Sequence, residues 1–274
     1  MSTTATPQLL KVTVACRTDK GRVRAVNEDN FIIFDLNETD ISRRTDALID
    51  YPVSGRGLLL AVADGMGGAQ AGEVASQLAT EQLARRLSAP VQRDEPSERL
   101  SDGLKSANHA IRHASQENHS YQGMGSTMTA ALIYEGQAII GEVGDSRGYL
   151  IRNDLAKQIT KDQSLAQALI DVGALTEEQA AHSRQRHIVL QALGTQDEVE
   201  PVMSVITLEN GDYLLLCSDY LANKVNAVEI SDIVKGAQTL DDACEQLVAR
   251  ANDQGGEDNI TVLIARLDRE VLSA

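Results

Sequence analysis

Apolar residues recur along the chain with two different spacings, and each spacing predicts one kind of secondary structure. Short apolar runs, either alternating or continuous, are typical of β-strands that pack on a core. Apolar residues three and four positions apart are typical of amphipathic helices. The predicted strands cover residues 10–16, 31–35, 57–63, 127–134, 138–143, 148–152, 202–208, 213–217 and 259–267. The predicted helices cover residues 71–87, 100–114 and 240–251, with two shorter candidates at 164–172 and 176–182.

The polar stretches between these elements predict a single domain. Residues 1–9 are expected to form a loose tail, and the charged segment 37–56 is expected to be a loop. No internal repeat, low-complexity tract or Pro-rich linker divides the rest, and 274 residues are enough for one large α/β domain. We therefore expect one domain over residues 10–270.

Composition and charge narrow the classes of function. Hydrophobic residues make up 42% of the chain, which predicts a folded globular protein. Aromatic residues make up only 3%, so the core must come mainly from aliphatic side chains. The net charge is −15, from 40 acidic and 25 basic residues. Such a chain is repelled by nucleic-acid phosphates and by anionic membrane surfaces, so neither is an expected partner.

The cysteines and the first residues indicate a cytoplasmic protein. The three cysteines, Cys16, Cys217 and Cys244, are an odd number and form no CxxC pair. This argues against a disulfide framework or a zinc site and favours a reducing compartment. The chain opens without a signal-peptide pattern and has no run of about 20 apolar residues that could span a membrane.

Acidic residues stand at the ends of several predicted strands. They are Glu28, Asp29, Asp64, Asp145, Asp219 and Asp258. A lone Asp in that position is more often a turn or a helix cap. Ends of adjacent strands converge, however, and a cluster of carboxylates is costly unless cations neutralise it. Oxygen-only ligands suit Mg²⁺ and Mn²⁺, and two such ions can activate water for attack on a phosphoryl group.

Short motifs around these acids occur in a recognisable order. They are 18-TDKGRVR-24 with 27-NEDN-30, 64-DGMGG-68 with 71-AGEVAS-76, 123-GMGST-127, 143-VGDSR-147, 217-CSD-219 and 258-DNIT-261. The ordered set resembles bacterial PPM (PP2C-like) metal-dependent serine/threonine protein phosphatases over about residues 11–267. The resemblance implies an α+β fold, a four-layer α-β-β-α sandwich in which helices flank two antiparallel sheets.

The resemblance also implies a binding site for Mn²⁺ or Mg²⁺. Asp64 would bridge two metal ions. Asp219 and Asp258 would complete the first metal site. The Gly65 carbonyl would bind the second ion, and Glu28 would contact it directly or through water.

Further roles follow from the same resemblance. Asp145, together with Asp219, would hold a third, weaker ion. Arg24 would bind the substrate phosphate, a role suited to a planar and permanently charged guanidinium. Residues of about 153–195 would form a flap that borders the site and influences substrate choice.

The hypothesis for function is hydrolysis of phosphoserine and phosphothreonine in protein substrates. A metal-bridging hydroxide would attack phosphorus directly, and no phospho-enzyme would form. The enzyme would act as a monomer on phosphoproteins, with a cognate Ser/Thr kinase as counterpart. Protonation of the leaving oxygen is left open between a metal-bound water and an unidentified group.

Several departures from the family pattern keep an alternative open. Tyr220 stands where the family usually has Gly, and it would be strained if that position needs a positive φ. Other departures are Met66, Ala69, Gln163 and Gln191. Tyr220 and the altered flap, with Gln163 and Gln191, are the support for the alternative of a weak or inactive PPM-like domain that binds phosphoproteins or acts as a scaffold. A regulator of anti-sigma-type switches within the same family is a further alternative.

Histidines offer a second, weaker candidate for metal binding. His109 and His113 are four residues apart on a predicted helix, which is a spacing that can bind a metal. The apolar stripe of that helix uses other positions, so a solvent-facing location is the better expectation. His182 and His187 lie in the flap and are interpreted as ordinary loop histidines.

Overall fold

The fold is an antiparallel sandwich with helices outside it. The computed structural model describes residues 8–43, 45–67, 71–90, 95–181, 183, 185 and 187–271. The strands are β1 (Gln8–Asp19), β2 (Asp29–Asp35), β3 (Ala47–Pro52), β4 (Leu58–Met66), β5 (Gly125–Ser126), β6 (Met128–Tyr134), β7 (Gln137–Val143), β8 (Arg147–Arg152), β9 (Leu155–Gln158), β10 (Val202–Thr207), β11 (Tyr213–Cys217) and β12 (Ile260–Val271). The α-helices are α1 (Ala71–Ser88), α2 (Pro96–Glu117), α3 (Leu165–Asp171), α4 (Glu177–Ala181), α5 (Asp219–Lys224), α6 (Ala227–Gly236) and α7 (Leu240–Asp253).

The strands form two sheets. Sheet I has the order β3-β1-β12-β11-β8-β9, and sheet II has the order β10-β7-β6-β4-β2 with the short β5 paired to β4. All of these pairings are antiparallel. The first and last strands of the described chain, β1 and β12, lie side by side near the centre of sheet I.

Three apolar cores separate four layers. The core between the sheets takes one face of each, with Val12 and Leu263 from sheet I and Leu60 and Ile133 from sheet II. A second core lies between sheet II and the helices α1 and α2, and a third lies between sheet I and the helices α5, α6 and α7. The predicted α+β fold with the layer order α-β-β-α is therefore confirmed.

Most predicted elements are present, and five of the strands and α-helices above were not predicted, namely β3, β5, β9, α5 and α6. The segment 37–56, expected to be a loop, contains the edge strand β3, so that expectation was wrong. The helices α5 and α6 follow β11 where no element was expected. The strand β1 begins at Gln8, within the expected tail, and residues 1–7 lie outside the described residues.

The described helices were also searched for membrane spans. Within the residues described above, no helix combines the length and the apolar character needed to cross a bilayer.

Candidate active site

The acidic residues predicted from the strand ends meet at one end of the sandwich. In the β2–β4 pairing Asp29 lies opposite Asp64. Asp219 begins α5 just after β11, and Asp258 lies two residues before β12. Asp145 occupies the turn from β7 in sheet II to β8 in sheet I. The acids therefore come from elements of both sheets.

Asp29 connects the two sheets at the base of this cluster. Its Oδ2 atom accepts hydrogen bonds from Ser218 Oγ at 2.8 Å and from Thr261 Oγ1 at 2.7 Å. Ser218 directly follows β11 and Thr261 lies in β12, so both donors come from sheet I. Its Oδ1 atom is buried without a hydrogen-bond partner. Burial raises the pKa of Asp29 to about 7, and the carboxylates of Asp219 and Asp258 act in the same direction. The family resemblance implied no role for Asp29, although its position directly before a strand placed it among the candidate acids.

Close backbone packing brings Glu28 and Gly65 together. A Cβ atom at Gly65 would lie 2.1 Å from the Gly72 carbonyl oxygen, so only glycine fits there. A Cβ atom at Gly72 would lie 2.4 Å from Glu28 Oε1 and 2.9 Å from the Gly65 carbonyl oxygen. The two oxygens predicted to share an ion therefore border the same point at the start of α1.

The backbone around these residues is fixed by hydrogen bonds. The Glu28 N–H donates to Asn259 Oδ1 at 2.8 Å, and the Glu28 carbonyl accepts from Ser76 Oγ at 2.6 Å. The Asp64 carbonyl accepts from the Thr127 N–H at 2.9 Å and from Ser126 Oγ at 3.0 Å. These contacts hold Glu28 and Asp64 in place without using their carboxylates.

The carboxylates of the cluster repel one another. Burial raises the pKa of Asp145 to about 7, and Asp219 raises it further. Burial raises the pKa of Asp64 well above its usual range, with Asp29 as the next cause. The pKa of Asp219 is raised by burial and then by Asp258. Such a concentration of negative charge is stabilised when cations bind.

The residues present fit hard divalent cations by their donor chemistry. Every candidate ligand is a carboxylate or backbone oxygen, and the unpartnered Asp29 Oδ1 adds another oxygen beside them. Within the described part of the chain, no three His, Cys, Asp or Glu side chains already form a cage around one point.

Arg24 lies across the cluster from the solvent side. Its Nη2 atom is 2.7 Å from Asp258 Oδ2, and its Nη1 atom is 3.8 Å from Glu28 Oε2. The side chain is 46% exposed, so its guanidinium remains accessible to a ligand. The structure thus brings this predicted residue to the predicted carboxylates.

A groove of about 770 Å³ extends from the acids between the flap and α5. Its walls include Asp145, Asp219 and Asp258 together with His187 and Lys224. The flap therefore borders the acids, as expected for residues of about 153–195. His182, in the same flap, lies outside the described residues.

Arg147 anchors the start of the flap. Its guanidinium donates three hydrogen bonds of 2.6 to 3.0 Å to the carboxylate of Asp162. Gln163 receives the Gly144 N–H at 2.6 Å, so it fixes the flap to the turn that carries Asp145. Gln191 pairs with the backbone of Glu200 through both of its polar atoms, at 2.8 and 3.0 Å.

The condition for strain at Tyr220, a positive φ, is not met. Tyr220 lies in the first turn of α5 and is not among the described residues with positive φ. The departure at Met66 lies in β4, and the departure at Ala69 falls outside the described residues.

The two helical histidines form surface contacts. His109 Nε2 lies 3.5 Å from Glu198 Oε2, and His113 Nδ1 lies 3.2 Å from Glu117 Oε2. Both histidine side chains are more than half exposed, at 58% and 71%. The solvent-facing expectation agrees with these positions.

Comparisons with known proteins identify the family. The family model described as Protein phosphatase 2C matches residues 39–263. The serine/threonine phosphatase stp of Listeria monocytogenes is 36% identical over 255 residues, which cover 92% of this chain and 94% of that protein. The protein phosphatase PhpP of Streptococcus pneumoniae is 40% identical over 220 residues, covering 79% of this chain and 88% of that protein.

Solved structures agree with this result. A serine/threonine phosphatase of S. agalactiae is 33% identical and has a TM-score of 0.80. The match covers 93% of this chain and 98% of that chain. The catalytic domain of PstP in complex with two manganese ions is 34% identical with a TM-score of 0.77, covering 94% of this chain and 99% of that domain. The chain belongs to the protein phosphatase 2C family, a family of metal-dependent enzymes. The prediction of a bacterial PPM-type serine/threonine phosphatase is thereby confirmed.

Proposed function

We propose that the acids at the end of the sandwich form the catalytic centre at which this chain hydrolyses phosphoserine and phosphothreonine in proteins. The observation that carries the proposal is the meeting of oxygens around Gly72. There the Glu28 carboxylate and the Gly65 carbonyl border one point, and β2 pairs Asp29 with Asp64 beside them. Carboxylates that raise each other's pKa without a compensating cation support divalent metal binding at the same place.

The ligands divide between two principal ions. Asp64 would be shared by both, Asp219 and Asp258 would complete the first, and Gly65 and Glu28 the second. Asp145 with Asp219 would hold a third, weaker ion. Bound Mn²⁺ or Mg²⁺ would supply charge neutralisation and an activated water for in-line attack.

The chain's own side chains bind and orient the phosphoryl group. The Arg24 guanidinium would leave Asp258 and donate to two phosphate oxygens, whose charge grows in the transition state. The groove beside the flap would hold the polypeptide on either side of the phosphorylated residue. The water oxygen then bonds to phosphorus as the bond from phosphorus to the Ser or Thr oxygen breaks, and a proton passes to that leaving oxygen. The products are inorganic phosphate and the free hydroxyl.

The substrates would therefore be proteins that Ser/Thr kinases have phosphorylated. We place the enzyme in the cytoplasm because Cys16, Cys217 and Cys244 are free thiols. We expect it to act as a monomer.

The test is hydrolysis of a phosphothreonine peptide by the purified chain with Mn²⁺, with Mg²⁺ and with EDTA. Turnover that requires the metal, and that Asp64→Asn lowers by roughly a thousandfold or more, is the expected result. Asp102→Asn is the matched control, because Asp102 lies on α2 and is 53% exposed. Its Oδ2 atom is 3.7 Å from Nη2 of Arg86 on α1, which is a loose ion pair. Peptide binding without turnover in either metal would instead support the scaffold alternative. Full activity of Asp64→Asn at saturating Mn²⁺ would refute the site assignment.

A further inference from the structure

The hydroxyl of Tyr220 joins the first turn of α5, which begins with Asp219, to the loop that carries Asp258. It donates a hydrogen bond to Glu257 Oε2 and accepts one from the Glu257 N–H at 3.0 Å. Tyr220 directly follows Asp219, and Glu257 directly precedes Asp258. One phenol group therefore connects the immediate neighbours of two carboxylates that are 39 positions apart in the chain (258 − 219).

Lys224 reinforces this connection from the next turn of α5. Its Nζ atom lies 2.9 Å from Glu257 Oε2 and donates to the Gln254 carbonyl at 3.2 Å. The same ammonium lies 5.0 Å from the centre of the Tyr220 ring, within the range of a cation–π contact. We call Tyr220, Lys224 and Glu257 the clasp.

The clasp joins the first turn of α5 to a loop that contains two glycines. The Tyr220 ring is only 7% exposed and packs in the core between sheet I and its helices. The loop before Asp258 contains Gly255 and Gly256, both in the left-handed region with φ of 126° and 61°. The backbone N–H groups of Arg22 and Val23 hold this loop on one side by donating to the Gly256 carbonyl at 2.7 and 3.2 Å, and the clasp adds a tie to α5 beside Asp258.

The clasp also acts against the repulsion between the carboxylates. Asp219 and Asp258 both line the groove beside the clasp, and two carboxylates in one site repel each other. In the absence of a cation, that repulsion favours movement of the glycine-containing loop away from α5. A tie that holds the loop keeps the ligand pair ready for an ion and so reduces the cost of binding.

We propose that Tyr220, through the clasp with Lys224 and Glu257, is a positioning residue that sets the spacing of Asp219 and Asp258 and thereby raises the affinity of the site for divalent cations. The inference rests on the proposed function, because it takes these two carboxylates to be metal ligands. Tyr220, Lys224 and Glu257 also line the groove, but the Tyr220 hydroxyl is engaged by Glu257. Tyr220 acts on the two carboxylates through the helix and the loop that it joins.

The test is the dissociation constant of Mn²⁺, measured by isothermal titration calorimetry on the full chain for the wild type and for Tyr220→Phe. This substitution removes the hydroxyl and keeps the buried ring. We expect Tyr220→Phe to raise the dissociation constant about three- to tenfold, which is the effect of losing roughly one to two hydrogen bonds. The Mn²⁺ concentration for half-maximal phosphatase activity should rise by the same factor.

Tyr213→Phe is the matched control. Tyr213 carries an equivalent contact, with Lys235 Nζ at 5.0 Å from its ring centre, on the strand β11 of the same sheet. The control should bind Mn²⁺ as the wild type does. Glu257→Gln tests the same tie from the exposed side of the clasp, and it replaces Tyr220→Phe if that variant fails to fold. An unchanged dissociation constant in the tested clasp variant overturns the inference, and so does an equal loss in Tyr213→Phe.

The wild-type titration separates this inference from the proposed function. Mn²⁺ binding by the wild type with no effect in the clasp variants would reject the clasp alone. Binding that responds to the clasp, without hydrolysis of the phosphothreonine peptide, would reject the proposed catalysis alone. Failure of the wild type to bind Mn²⁺ would reject both.

Discussion

Replacing Asp29 by Asn should change how stability depends on pH. Asn has the same shape as Asp and can still accept the hydrogen bonds from Ser218 and Thr261, but it cannot become charged. In the folded wild type, burial raises the pKa of Asp29 from 3.8 to about 7. The folded state therefore holds this proton more tightly than the unfolded chain. Its contribution to stability is fully present below pH 4 and is lost as pH rises to about 7.

The size of the effect follows from that shift. Between pH 5 and pH 7 the folded group stays largely protonated while the unfolded group is ionised. Each pH unit in this range then removes up to about 1.4 kcal/mol from the free energy of unfolding, or about 3 kcal/mol over the range. Because Asp29→Asn lacks this loss, its stability relative to the wild type should rise by about 2–3 kcal/mol from pH 5 to pH 7.

Urea unfolding followed by far-UV circular dichroism measures the difference, since the chain has no Trp for fluorescence. The titrations are run in EDTA at pH 5, 6 and 7, with the exposed Asp102→Asn as control. Saturating Mn²⁺ should reduce the pH dependence, because nearby cations favour the ionised carboxylate. A stability difference between Asp29→Asn and the wild type that stays constant from pH 5 to pH 7 in EDTA would refute the reasoning.

Two further substitutions test contacts at the edges of the site. Arg24→Ala should lower kcat/KM for a phosphothreonine peptide roughly 10- to 100-fold by removing a charged hydrogen-bond donor. In the control Arg22→Ala, which removes a guanidinium that pairs with Asp253 at 2.7 Å, kcat/KM should change less than twofold, and similar losses in both variants would contradict the role of Arg24. Arg147→Met should lower the free energy of unfolding by about 3 kcal/mol, because it leaves the largely buried carboxylate of Asp162 without its ion-pair partner. Adding Asp162→Asn should restore part of this loss in urea unfolding, and no recovery in the double variant would show that the cost has another origin.

Much of the fold was predictable where local pattern and burial agree. The helix α7 begins after Thr239, whose side chain accepts from the Asp242 N–H at 3.1 Å, and its apolar stripe faces the core. The strand β3 was missed because it is an edge strand whose residues are mostly exposed, so its sequence has no apolar alternation. For α6 a signal was present in the capping box of Asn226 and Glu229.

The position of the acids in the candidate site could also be predicted in part from the sequence. Acids that directly flank apolar runs could be placed at strand ends, and the two sheets then bring those ends together. The clasp could not be foreseen, because it depends on Tyr220 meeting Glu257 across 37 positions of sequence. Tyr220 is not strained, because Asp219 starts a helix and Tyr220 adopts the helical backbone conformation.

The central place of β12 has a consequence for how the protein is made. This strand lies between β1 and β11, pairing Asp19 with Ile260 at one end and Gln8 with Val271 at the other. During synthesis β1 can pair with β3 early, but its other edge lacks a partner until β12, near the end of the described chain, has emerged. Contacts between such distant segments slow folding and lengthen the time in which strand edges are open to other chains. Asp258 emerges just before β12, so the nascent chain would complete the proposed metal site and the finished sheet at almost the same moment.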